Sequence, residues 1–88
     1  LNKYFKALSN PTRLAVIEML METPEMNVTQ LNDKLGSLSQ PALSQALARL
    51  KQADILKARR AGKQIFYSIK SPTVAAIIRL ANVNTSTH

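Results

Sequence analysis

The chain contains no cysteine, only two glycines and a single histidine, and it sets five acidic residues against twelve lysines and arginines. Without cysteine, disulfides, thiolate metal sites and thiol redox switching are excluded within these residues, which fits a cytoplasmic protein. Two glycines and few aromatic residues argue against an all-β fold with many tight turns. No apolar run approaches the roughly 20 residues of a bilayer span, and no signal-peptide pattern opens the chain, so no membrane partner is expected. Leu1 stands where Met would begin a gene product, so the chain is read as one that can have lost residues at either end. Catalysis lacks its usual materials. There are no paired carboxylates at plausible spacing, no glycine-rich phosphate loop, and the lone His88 sits in a polar terminal stretch. The expectation is a protein that is not an enzyme and carries no cofactor.

What is present is a hydrophobic content of 45%, enough for one domain over residues 1–88 with a single, thin core. The net charge is +7, and it is unevenly placed. Residues 1–40 are balanced, with Lys3, Lys6, Arg13 and Lys34 against Glu18, Glu22, Glu25 and Asp33. Residues 41–88 hold the whole excess, with Asp54 as their sole acidic side chain. Ordinary solubilising charge rarely segregates into one half of so small a domain. A polyanionic partner is the natural physical reading.

Helical spacing dominates the first half. Leu1, Phe5 and Leu8, with Tyr4 beside them, make a short helix that needs packing to form. Asn10 is a good N-cap and Pro11 suits the first turn of a helix reaching about Met21, with Leu14, Ile17, Leu20 and Met21 as its buried stripe. Pro24 ends that segment. Asn27 to Gly36 is a second short helix, capped by Thr29 or Asn27, with Val28, Leu31 and Leu35 inward and Gly36 at the C-terminal αL position. Ser39 then caps a helix over Ser39–Gln52 with Pro41 in its first turn. Leu43, Ala46, Leu47 and Leu50 fall in one apolar stripe; Pro41, Ser44, Gln45, Ala48, Arg49 and Gln52 face outward, with Gln40 and Lys51 at the margin. The outward arc holds amides, a hydroxyl and cations and no carboxylate, so it can bond base edges without repelling phosphate. Taken alone, the same arc also reads as an ordinary solvated helix face.

Two short helices joined by a glycine-containing turn make a helix-turn-helix, whose second helix enters the major groove through its N-terminal residues, here Gln40, Pro41, Ser44 and Gln45. After Asp54 the period changes. Ile55–Arg59 and Ile65–Ile69 read as strands, and Arg60-Ala61-Gly62-Lys63-Gln64 as the turn between them. Arg59, Arg60 and Lys63 crowd its tip, where they would lie on phosphate backbone or reach into the minor groove, making the hairpin a wing. Charges on an edge strand also serve to block aggregation, but these sit at the turn and share one sign. Ser71 and Pro72 open a last helix with Val74, Ile77, Ile78 and Ala81 in a stripe running to about Asn82 and Leu80 at its edge. The fold expected is mainly α with a small β-hairpin, a winged helix-turn-helix ordered helix-helix-helix-helix-strand-strand-helix. Residues 1–9 and 71–82 are left over as dimerisation helices, through Leu1, Phe5, Leu8, Val74, Ile77, Ile78 and Ala81. These could equally pack on the protomer's own core. Residues 83–88 are expected to fray.

Three segments, FKALSNPTRLAVIEML (5–20), LSQPALSQALARLKQADIL (38–56) and RRAGKQIFYSI (59–69), together resemble the ArsR/SmtB family of bacterial winged-helix repressors. The resemblance spans roughly residues 5–80. It implies a homodimer joined through its terminal helices, which represses transcription and leaves DNA when a ligand or modification arrives. Carried over position by position, the family's recognition helix falls on Ser39–Gln52 and its wing on Arg59–Gln64. The departures concern the signal. Metal-sensing relatives place cysteines where this chain reads VTQLNDKL, and others place Asp, His and Glu in the last helix, which here reads SPTVAAIIRLA. Many relatives carry His at the place of Ala46 and Gly at that of Asp54, and Asp can adopt the αL conformation at some cost. No metal site is expected, which leaves the effector open to a small molecule or a protein.

The sequence therefore predicts a homodimeric repressor of its own or a neighbouring operon that binds an inverted repeat in double-stranded DNA. Ser39, Gln40, Pro41, Ser44, Gln45, Arg49 and Lys51 would form the recognition helix's surface, and Arg59, Arg60, Lys63 and Gln64 the wing's. It would work in the bacterial cytoplasm, with the nucleoid when bound. The rival reading is a winged helix used as a protein-interaction module without specific DNA binding. Such a module would favour apolar or mixed-charge residues on the recognition helix.

Overall fold

A computed structural model describes the backbone of residues 2–36 and 40–86 and the side chains of residues 4–36 and 41–81. Leu1, Ser39 and His88 lie outside the described residues, as does the side chain of Gln40.

Helix α1 (Asn2–Leu8) buries Tyr4, Ala7 and Leu8. Phe5, expected at a dimer interface, is 45% exposed in the single chain. Residues 4, 7 and 8 share a helical face, and position 5 points roughly 110° away from its centre. Asn10 then accepts a hydrogen bond from the Arg13 amide at 3.0 Å and Pro11 opens α2 (Pro11–Glu22). This central helix packs against α1, α3 (Val28–Leu35), α4 (Gln40–Gln52) and the third strand. Packing on several sides explains its burial: Val16 joins Ile17 and Leu20 inside, while Leu14 and Met21, expected there, are half-buried.

Asn27, not Thr29, caps α3. Its side chain accepts from the Gln30 amide at 2.8 Å, and the Gln30 side chain accepts from the Asn27 amide at 2.9 Å, a reciprocal capping box. Gly36 closes the helix at φ 66°, ψ −59°, a positive-φ position that suits glycine though its ψ lies outside αL. On α4 the expected stripe of Leu43, Ala46, Leu47 and Leu50 is buried. Asp54 ends that helix with φ 61°. The Asp54 amide donates to the Lys51 carbonyl and the Ile55 amide to the Leu50 carbonyl, each at 3.0 Å. That is a Schellman motif, and its hydrophobic contact is supplied by the buried Leu50 and Ile55.

Ile55 therefore belongs to the helix cap rather than to a strand, and the hairpin is longer at its tip than expected. Strand β2 (Leu56–Ala61) pairs antiparallel with β3 (Gln64–Ile69) from Leu56 opposite Ile69 to Ala61 opposite Gln64. Only Gly62 and Lys63 are left as the turn, with positive φ at Gly62 alone, as a two-residue type II′ turn needs. A further strand, β1 (Met26–Asn27), pairs with β3, Met26 opposite Tyr67 and Asn27 opposite Phe66. The sheet order is β1-β3-β2. The expected element order thus gains a strand ahead of α3. The Ser71 hydroxyl accepts from the Val74 amide at 3.2 Å and starts α5 (Pro72–Ser86). That helix passes its expected end near Asn82, since no glycine or proline interrupts it, and takes in residues 83–86 that were expected to fray.

Candidate nucleic-acid interface

Helix α4 is fixed by its buried stripe, and the opposite arc is bare. Pro41, Ser44, Gln45, Ala48, Arg49, Lys51 and Gln52 are all exposed. Among the described residues, no hydrogen bond or ion pair engages the side chains of Ser44, Gln45, Arg49, Lys51 or Gln52. Two amides, a hydroxyl and two cations are thus presented to solvent with their bonding capacity unspent, on an element that cannot rotate without unburying Leu43 and Leu47.

The hairpin is organised differently. Arg59, expected at the tip, sits three residues back from Gly62 and turns away. Its Nε and Nη2 donate to the two carboxylate oxygens of Glu25 at 2.9 and 2.8 Å, and its guanidinium carbon lies 5.1 Å from the Phe66 ring centroid. Those hydrogen bonds hold the Glu25 carboxyl below its usual range and push the Arg59 guanidinium up. Gln64 accepts a hydrogen bond from the Asn27 side-chain amide at 3.1 Å. Both are exposed, but both are tied to the segment before α3 rather than held out from the tip. Three consecutive residues grip the hairpin: Glu25 through Arg59, Met26 through the β3 ladder, and Asn27 through the ladder and Gln64. Among the described residues, those at the tip without a tie to the body are Lys63 and Arg60, whose Nε donates to the Gly62 carbonyl at 3.2 Å and leaves its Nη groups to spare. Sequence reasoning missed Glu25 because an acidic residue beside Pro24 carried no local signal of a partner 34 positions away.

The expected dimer residues divide. Leu8, Val74, Ile78 and Ala81 are buried within this one chain and have little surface left to offer a second copy. The cause is that α1 and α5 pack against each other and roof the core. Ile77 is half-buried, Phe5 is exposed, and Leu80, read as an edge residue, is 69% exposed. No helix among the described residues is long and apolar enough to cross a membrane.

Residues 10–58 match the family described as bacterial regulatory protein, arsR family. An uncharacterized HTH-type transcriptional regulator of Methanocaldococcus jannaschii is 41% identical over 78 residues, covering 89% of this chain and 86% of the other. The transcriptional repressor PagR of Bacillus anthracis is 38% identical over 77 residues, covering 88% and 76% of the two chains. Its crystal structure gives a TM-score of 0.78 at 36% identity, covering 92% of this chain and 91% of that one. The transcriptional activator HlyU of Vibrio cholerae is 39% identical over 75 residues, covering 85% and 68%. Its structure gives a TM-score of 0.80 at 34% identity, covering 97% and 90%.

Proposed function

The chain belongs to the arsR family of bacterial regulatory proteins, and from that premise we propose that it is a homodimeric repressor that reads an inverted repeat through α4. Its family is one of DNA-binding transcriptional regulators and not of enzymes. The observation that carries the finer reading is the bare arc of α4. Two such helices, related by a two-fold axis, would enter successive major grooves about 34 Å apart. Gln40, Ser44 and Gln45 would then bond base edges, while Arg49 and Lys51 lie on phosphate. At the wing, Arg60 and Lys63 would take the backbone contacts, because Arg59 is already engaged by Glu25.

Dimerisation is supported by the large apolar side chains that α1 and α5 leave uncovered, Phe5 and Leu80, beside the half-buried Ile77. PagR of Bacillus anthracis is a repressor, and occupying a promoter requires nothing beyond binding. The protein would act in the cytoplasm, on the nucleoid.

The test is a titration of the full chain with a duplex enriched from a random-sequence library, beside a scrambled duplex, at two salt concentrations. The expected result is preference for an inverted repeat, lost when one half-site is scrambled, with affinity falling steeply as salt rises. Equal, weak binding to every duplex would overturn this reading. A promoter reporter gives the sign: output that rises when the gene is deleted supports repression, and output that falls refutes it.

A further inference from the structure

A polar cavity of about 350 Å³ lies between the start of α2 and the outer side of α4, walled by Asn10, Thr12 and Arg13 on one side and by Gln45 and Arg49 on the other. Arg13 and Arg49 also line a smaller neighbouring cavity of about 170 Å³, together with Lys6. Every charged residue lining either cavity is cationic. The Arg13 guanidinium is not loose: its Nη2 donates to the Lys6 carbonyl at 3.0 Å, which anchors one edge of the fork and leaves its other donors to spare. Arg49 has no carboxylate partner among the described residues. Two guanidiniums from different helices, brought together without a counter-charge, make a place for an anion.

Gln45 identifies the anion's source. It belongs both to the exposed arc of α4 and to the cavity wall, so the cavity opens beside the surface assigned to base reading. We propose that Arg13, Thr12 and Arg49 clamp one phosphodiester of the bound duplex, making the start of α2 a third DNA contact besides α4 and the wing. The inference rests on α4 being the reading helix. The clamp contributes register rather than sequence preference. A phosphate seated between α2 and α4 fixes how deeply α4 enters the groove, whatever the bases are.

The test measures affinity against salt for the full chain on its library-enriched duplex and on a scrambled one. Arg13→Gln is expected to flatten the salt slope by about one and to weaken both duplexes alike, about fivefold at about 0.15 M salt, while Arg13→Lys keeps the slope. Arg13 also braces α1, so Thr12→Glu serves as the second variant. A carboxylate in the first turn of α2 favours the helix, so this protein should melt no lower than the parent yet bind DNA more than about tenfold more weakly. A folded Arg13→Gln protein with the parental slope overturns the clamp. If Arg13→Gln does not fold, parental binding by Thr12→Glu overturns it instead. Replacing chloride by inorganic phosphate at equal ionic strength should have no extra effect. Extra inhibition of the parent that Thr12→Glu escapes would assign the cavity to free phosphate and not to DNA. A selective parent with insensitive variants defeats the clamp alone, whereas a parent without selectivity, unmoved by Gln45→Ala, defeats the reading of α4 as well.

Discussion

Among the described residues of α4 the outward polar side chains make no hydrogen bond, whereas along the hairpin Arg59 and Gln64 are bonded to the segment before α3 and Arg60 to the turn itself. The helix presents its face through what it buries on the other side. The hairpin has little to bury beyond Leu56 at its base and the half-covered Phe66, Tyr67 and Ile69, so polar side-chain contacts join the short β1–β3 ladder in holding it to the body. Substitutions should therefore spare stability along the helix face, whereas along the hairpin they divide, Arg60 and Lys63 acting on binding and Arg59 with Glu25 on stability.

The largest effect tests the helix side of that contrast. Leu47→Ala removes a buried member of the α4 stripe and should cost about 2–5 kcal/mol of stability in urea unfolding. A loss under about 1 kcal/mol would mean that burial does not hold the face. Next, Gln45→Ala should weaken binding by about 1–3 kcal/mol, relax preference at one base-pair position in a repeated library selection, and leave stability within about 0.5 kcal/mol.

On the hairpin, Arg60→Ala or Lys63→Ala should each flatten the salt slope by about one while leaving sequence preference unchanged. Arg59→Ala should leave the slope at its parental value. If it flattens the slope too, the guanidinium leaves Glu25 for DNA and the contrast weakens. The smallest effect is that of Glu25→Gln, since both partners of the ion pair are exposed. The folded Glu25 carboxyl titrates below its unfolded value. The stabilisation is therefore full above the unfolded value and disappears as pH falls through the folded one. The slightly lower melting temperature of Glu25→Gln should converge on the parent's in that acid window.

Most of what local spacing governs was readable in advance. The α4 stripe follows from a 3.6-residue period on a helix with one buried side. Asn10, Ser71 and Asp54 announce helix ends through side-chain and backbone chemistry that acts within a few residues. What was not readable depends on distant partners. Strand β1 is two residues long, too short to show alternation, and exists because β3 lies beside it. The sign of Arg59 was plain in the sequence, but its engagement by Glu25 was not. Val16 is buried because α2 is packed on several sides, which no single-face pattern encodes. Leu8, Val74, Ile78 and Ala81 are apolar at helical spacing, and that pattern is the same whether a helix meets its own core or a second chain.

Asn27 closes the capping box at the head of α3, pairs with Phe66 in the sheet, and donates to Gln64. One residue thus belongs to both the helix-turn-helix and the hairpin, and it works as the pivot of a calliper whose jaws have been soldered. The gap between the jaw that reads and the jaw that grips is not left to a hinge. Only Gly62 and Lys63 lie beyond the last rung, so the outer jaw can be lengthened there, residue by residue, without altering the bite.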